Sequence, residues 1–361
     1  MKRRTFLKIA VSLAAWGPAS WLVARAEAWN SKPFAKKVPL TPFDAPPGSW
    51  TLVLLPDTQY YSQKYPEVAV RQAEWIVAHR KTHNIRFVAH EGDLVNNPTQ
   101  TKQWERIQKA LHILRDGGVP FSLTTGNHDL GTQAGGDTNS RATLLNDYFD
   151  AKDYHNSRAM GLFEPGHLEN SWHEFSAPEA KYLLLALEFG PRPEVLTWAN
   201  QVVGEHADHK VILVTHAYLY DTSERDTWAL DEAKGGRGNP KKYPIFKDGN
   251  MSDGQDMWEK LVSKHPNFLF TFNGHVCGSG VGHLASPGAG GGMVHQILAN
   301  YQDNSPTEAG TVKPARGYGG GGFLRLVQFQ PGEKTVQIKS YSPWYDEWLN
   351  EPEQHFTVTF A

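Results

Sequence analysis

Thr51-Leu52-Val53-Leu54-Leu55 runs directly into Pro56-Asp57-Thr58-Gln59. A β-branched threonine and four consecutive apolar residues, closed by a proline and followed by a carboxylate and an amide, read as a buried strand that delivers polar groups at its end. Working outward, Val70, Ala73 and Val77 share one face of an amphipathic helix, and residues 85–89 form a second apolar run that ends in His90-Glu91-Gly92-Asp93. Trp104, Ile107, Leu111 and Leu114 share a face of another helix, which stops at Gly117-Gly118. Residues 119–123 then lead into Thr125-Gly126-Asn127-His128-Asp129. Strand, helix, strand, helix, strand is the alternation of an α/β fold.

Three more apolar runs follow, at 182–187, 211–214 and 268–272; the last two end in Thr215-His216 and Asn273-Gly274-His275-Val276-Cys277. Ligand sites of open α/β sheets lie beyond the carboxyl ends of the strands, so five such loops are expected to converge on one crevice. Taken singly, each cluster has an ordinary explanation: Asp57 and Asp93 suit turns or helix caps, and a lone His216 suits a satisfied core position. The set and its order carry the argument. After about residue 293 the pattern becomes strands without helices, at 293–299, 323–329, 335–341 and 355–360, which predicts a second, more antiparallel sheet. The glycine clusters at 288–292 and 317–322 open no helical pattern and read as loops.

The chain has 361 residues, of which 36 are Lys or Arg and 38 Asp or Glu, a formal charge of −2 that argues against a general nucleic-acid binder. Hydrophobic residues make up 40%, enough for a large core. One cysteine excludes an internal disulfide, whereas 16 histidines invite a search for metal or acid-base chemistry. The N-terminus, Lys2-Arg3-Arg4-Thr5-Phe6-Leu7-Lys8, precedes an apolar run broken by Gly17-Pro18, too short for a comfortable membrane span, and Ala26-Glu27-Ala28 offers a small-x-small cleavage site. Residues 1–28 are therefore expected to be a signal peptide resembling a twin-arginine export signal, with an uncleaved anchor as the alternative. Its removal would leave 31 basic and 37 acidic residues, or −6. Residues 29–49, with five prolines, read as a linker, and 50–361 as the folded domain.

Asp57, Gly92-Asp93, Gly126-Asn127-His128-Asp129, His216 and Gly274-His275 stand in the order of the signature of the calcineurin-like metallophosphoesterase superfamily, which this chain resembles over roughly residues 50–300. The resemblance implies a four-layer α/β/β/α sandwich of two mixed sheets flanked by helices. It also implies a pair of divalent or trivalent metal ions, Mn, Fe or Zn. Asp93 would bridge them, Asn127, His216 and His275 would hold the second, and Asp57 the first. His128 would protonate the leaving oxygen, with Asp129 orienting its ring. Carboxylate, amide oxygen and imidazole suit these metals, and such an ion lowers the pKa of bound water toward about 7.

Two positions depart from the family pattern, both on the side of the first metal. Gln59 replaces one histidine and Cys277 another. Three readings stay open: direct ligation by Gln59 and Cys277, a substitute ligand among Tyr60, Tyr61, His90 and His283, or a single metal. The implied activity is hydrolysis of a phosphate mono- or diester, with a small-molecule substrate, outside the cytoplasm in a periplasm or the medium, after passage through the twin-arginine machinery and without a stable nucleic-acid complex. A metal- or phosphoryl-binding protein that does not hydrolyse is the alternative reading. Polar inserts at 131–140 and 221–254 are candidate lids. Polar and aromatic groups at 294–302 and 341–345 are a candidate substrate wall, and Arg141, Arg225 and Arg237 are candidates to meet phosphate charge.

Overall fold

A computed structural model describes residues 45–136, 138–221, 238–247, 249–277, 279–302 and 317–360. The expected signal peptide, most of the linker, Arg225 and Arg237 lie outside the described residues. Among those described, no helix is long and apolar enough to cross a membrane.

Fourteen strands form two seven-stranded sheets. The first sheet holds β1 (Trp50–Leu55), β2 (Ile85–His90), β3 (Phe121–Ser122), β11 (Leu324–Phe329), β12 (Thr335–Ser342), β13 (Glu347–Leu349) and β14 (His355–Thr359). Its order is β13-β12-β11-β1-β2-β3, with β14 on β12. The second holds β4 (Ala159–Glu164), β5 (His167–Ser176), β6 (Lys181–Leu187), β7 (Lys210–Thr215), β8 (Phe268–Asn273), β9 (Val281–Pro287) and β10 (Met293–Ala299), in the order β4-β5-β6-β7-β8-β10-β9. Both are mixed: β1-β2-β3 and β6-β7-β8-β10 run parallel, and the outer strands pair antiparallel.

Strand alternation sorts the core into layers. Val53 and Leu55 of β1 face a cluster with Val68, Ala73 and Ile76 of the helix Pro66–His79 and Trp104, Ile107 and Leu111 of the helix Thr101–Asp116. Leu52 and Leu54 point the other way, into an inter-sheet cluster with Tyr182, Leu184, Ile212 and Phe272. The opposite residues of β7, Val211 and Leu213, meet Val195, Ala199 and Val203 of the helix Pro193–Glu205. The result is helix, sheet, sheet, helix, the expected four layers.

The late strands correct one expectation. They do not make a sheet of their own: β10 joins the second sheet, and β11 pairs with β1 in the first, Leu54 opposite Arg325. The run at 119–123 also shrinks to two paired residues. It is an edge strand, and Pro120 at its entrance has no N–H to give the ladder.

Candidate metal centre

The loops after β1, β2, β7 and β8 and the loop after β3 meet at the C-terminal ends of the parallel strands. Three of the residues they present, Asp57, Asp93 and His275, adopt positive φ of 32°, 54° and 69°. Left-handed backbone costs a residue with a Cβ about 1–2 kcal/mol, so the fold spends stability to aim these side chains. Two glycines allow the close approach. A Cβ on Gly126 would strike the Asp93 carboxylate, and one on Gly274 would strike that of Asp57.

The polar atoms crowd around one point. His216 Nε2 lies 3.1 Å from His275 Nδ1, 3.2 Å from Asn127 Oδ1, 3.3 Å from Asp93 Oδ1 and 4.0 Å from Asp57 Oδ1. Asp57, Asp93 and His216 offer three ligand atoms all within 4.8 Å of one another, and all three residues are buried. The outer hydrogen bonds fix which atoms face inward. His216 Nδ1 donates to the Glu91 carbonyl (2.8 Å), leaving Nε2 bare in the neutral ring. His275 Nε2 donates to the Gly238 carbonyl (2.9 Å), leaving Nδ1 bare, and Asn127 Nδ2 donates to the Gly136 carbonyl (3.0 Å), turning Oδ1 inward. With both rings neutral, lone pairs face lone pairs across about 3 Å, a repulsion that a cation at this point relieves, whether a proton on His216 Nε2 or a metal ion. The donor set fits a borderline metal.

The electrostatics agree. Burial alone would lower the His216 pKa, but Asp93 and Asp57 more than offset it and push it up to about 9. Burial alone would raise the Asp93 carboxyl, while the rings of His216, His128 and His275 hold it well below the usual carboxylate range. Burial, reinforced by His216, pushes His275 down to about 3. The cluster is poised to accept positive charge.

The first-metal positions are arranged differently. Gln59 is fully buried; its Nε2 reaches Asn96 Oδ1 at 3.4 Å, and its Oε1 has no hydrogen-bond partner among the described residues, which leaves it open to act as a ligand oxygen. The Cys277 sulfur lies 3.6 Å from Gln302 Oε1 and 3.8 Å from both the His275 carbonyl and Asn300 Nδ2. Three possible substitutes are engaged elsewhere. Both ring nitrogens of His90 are used, Nδ1 accepting from Gly92 N and Nε2 meeting Thr58 Oγ1; Tyr61 accepts from Gly322 N; His283 pairs with His295 at 3.0 Å.

His128 donates its backbone N–H to Asp93 (2.9 Å) and its Nδ1–H to the Asn96 carbonyl (3.0 Å), which leaves Nε2 as its working atom. The expected pairing of that ring with Asp129 is therefore replaced. Asp129, fully buried, accepts from Gly126 N (2.8 Å) and Val95 N (3.0 Å) and so ties two ligand-bearing loops together. Burial and the Asp93 charge push its carboxyl up to about 8 against those N–H groups. Arg141 is occupied by the carbonyls of Phe189 and Gly190 and by Glu188 at 3.3 Å.

Asn96, Gly136 and Gly238 escaped the sequence reading. Each acts through backbone or as a helper to a ligand, and no pattern of residue types marks such a position. Gly136 belongs to the 131–140 insert and Gly238 to the 221–254 insert, so both inserts touch the centre. Thr138 further binds the Asn127 carbonyl (2.6 Å), and its own carbonyl accepts from Ile245 N (3.0 Å).

No protein-family model matches the chain. It is 28% identical over 354 residues to the uncharacterized protein YvnB of Bacillus subtilis (strain 168); the match takes in 91% of this chain and 23% of that protein, so the chain spans about a quarter of its relative's length. Among solved structures, purple acid phosphatase PPD1 from yellow lupin (Lupinus luteus) seeds aligns with 86% of this chain and 54% of its own, at 13% identity and a TM-score of 0.50. The chain shares that phosphatase's fold. A dimetal phosphatase from Danio rerio aligns with 86% of this chain and 99% of its own, at 14% identity and a TM-score of 0.45.

Proposed function

We propose that this chain is an exported metal-dependent phosphoesterase that hydrolyses a phosphate mono- or diester of a small molecule. The observation that carries the reading is the convergence of inward-facing lone pairs from His216, His275, Asn127 and Asp93, with Asp57 beside them, at the carboxyl ends of the parallel strands. Those five residues would hold metal, with the orphaned Gln59 oxygen as a further donor. Metal bound there would supply Lewis-acid polarisation of a phosphoryl oxygen and acidify a water for in-line attack. The chain's own groups do the rest. Asp93 fixes the His128 backbone, the Asn96 carbonyl holds the Nδ1–H of its ring, and the ring in its imidazolium form gives the Nε2 proton to the departing oxygen, returning to the neutral Nδ1–H tautomer.

Export rests on the paired arginines, the apolar run and the small-x-small site within residues 1–28. Destination in a periplasm or the medium, and passage by the twin-arginine route, follow from the same residues. A second reading, a protein that binds metal or a phosphoryl ligand without hydrolysis, draws on Gln59 and Cys277, which stand where the family pattern has histidines.

Elemental analysis of the purified chain, followed by assays with an aryl monoester and an aryl diester under added Mn, Fe or Zn, separates the two readings. Turnover that disappears together with bound metal in Asp93→Ala is the expected result. Bound metal with no turnover under any condition would leave the binder.

A further inference from the structure

We propose that a cleft at the opposite end of the strands from the metal centre is a second anion site, built for a compact polyphosphate. The cleft has a volume of about 710 Å³, within the roughly 300–1,000 Å³ typical of small-molecule sites, and its lining includes Arg80, Lys81, Arg86 and Arg158 but no carboxylate. Ile85 opens β2 and Pro120 precedes β3, whereas Ser176 closes the antiparallel β5; all three line the cleft. It therefore sits where the parallel strands begin. The candidate metal ligands follow the other ends of those strands, and six residues at about 3.3 Å each put roughly 20 Å between the two sites.

The cations are available. Lys81 and Arg86 are exposed and form no ion pair among the described residues, and Arg80 gives one bond, Nη1 to the Gly117 carbonyl at 3.2 Å. Arg158 binds Ser176 Oγ at 2.7 Å and stands 3.9 Å from Glu174. That glutamate also bonds His209 at 3.1 Å, and Arg115 sets one positive charge against the two carboxylates of the nearby Asp116 and Asp153. Four cations drawn from two sheets stand against Glu174 and one aspartate charge that Arg115 leaves over, a net local excess of about two positive charges in a chain whose total is −2.

Shape and charge select the ligand. The cations line a concavity with a buried aromatic, Phe175, in its wall, unlike a flat lipid-facing patch, and they are too few to track a nucleic-acid backbone. A chain of two or three phosphates offers more charge and more reach than a single phosphate, which suits guanidinium groups drawn from both sheets, with Arg forks taking its oxygens in pairs.

The test is calorimetric titration of inorganic tripolyphosphate into the intact chain, into Arg86→Glu/Arg158→Glu, into Lys102→Glu/Lys264→Glu as a charge-matched control, and into Asp93→Asn. Binding that weakens tenfold or more in the cleft variant, persists in the control and in Asp93→Asn, and falls between 50 and 300 mM salt is the expected result. Equal affinity in the cleft variant and the control, or loss in Asp93→Asn alone, would overturn the proposal by placing the anion elsewhere. So would flotation of the chain with phosphatidylglycerol vesicles in the absence of any tripolyphosphate binding. Aryl ester turnover of the cleft variant should equal that of the unmodified chain.

Discussion

His128 is held at three points: its N–H on Asp93, its Nδ1 on the Asn96 carbonyl, and its Nε2 edge against Gly136, where a Cβ would clash with the ring. A ring so fixed, beside the inward-facing ligands but not among them, suits proton delivery. His128→Ala is expected to lower turnover by about 10²- to 10⁴-fold while elemental analysis finds metal content unchanged; loss of metal would instead make the residue a ligand. The two departures from the family pattern give a complementary prediction. Gln59→His with Cys277→His is expected to tighten the weaker metal event in a calorimetric titration. An unchanged isotherm would mean that those two positions do not face the first ion, which the hydrogen bonds of Cys277 to Asn300 and Gln302 make a sharp question. Glu91 marks how tightly the back of the centre is sealed. It is fully buried, neither carboxylate oxygen has a hydrogen-bond partner among the described residues, and burial with Asp57 nearby pushes its carboxyl well up.

Among elements, the turn between β11 and β12 stitches the two sheets together. Glu333, at a φ of 51°, accepts from Trp50 Nε1 (2.8 Å) in the first sheet and from Tyr182 Oη (2.9 Å) and Lys210 Nζ (2.7 Å) in the second. Removing the carboxylate strands two buried donors, each at about 1–3 kcal/mol, so Glu333→Ala is expected to lower unfolding free energy by about 2–5 kcal/mol. Urea unfolding checks this, and metal content should not change because the turn lies far from the ligands. An unaltered midpoint would show the sheets to be held by apolar packing alone. Neither this turn nor the hairpin of β4 and β5 was legible in the sequence. Buried positions of β5 carry Asn170, Ser171 and His173, so the apolar alternation that marks a half-buried strand is missing. The strands with largely apolar runs, β1, β2, β6, β7 and β8, were legible, as were the polar residues after them, because a parallel strand covered on both faces favours a near-continuous apolar run. The destination of the late strands was not, since pairing partners depend on sheet order rather than on local pattern.

Across the whole molecule, acid should unfold this protein through histidines as well as through its carboxylates. His173 is the clearest case. It is wholly buried, with ring nitrogens 3.0 Å from Ser157 Oγ and Ser171 Oγ and rings of Phe87 and Tyr154 against it, and burial pushes it down to about 3. His83 and His295, in other parts of the fold, are each pushed down to about 4, chiefly by burial. In the unfolded chain all three titrate near 6.5. Above that pH neither state binds the proton, and these groups leave stability independent of pH. As pH falls below it, the unfolded chain takes up protons that the folded chain refuses, so stability declines until the folded values are reached near 3 to 4. For His173 the slope approaches about 1.4 kcal/mol per pH unit well below 6.5. His173→Gln keeps a donor and an acceptor for the two serines but cannot charge. Its urea-derived stability between pH 6.5 and 4.5 should therefore fall less steeply than that of the unmodified chain, by an amount approaching that slope at the acid end. Parallel curves would mean that the ring is protonated in the folded state and that the two serine hydroxyls accept from both nitrogens.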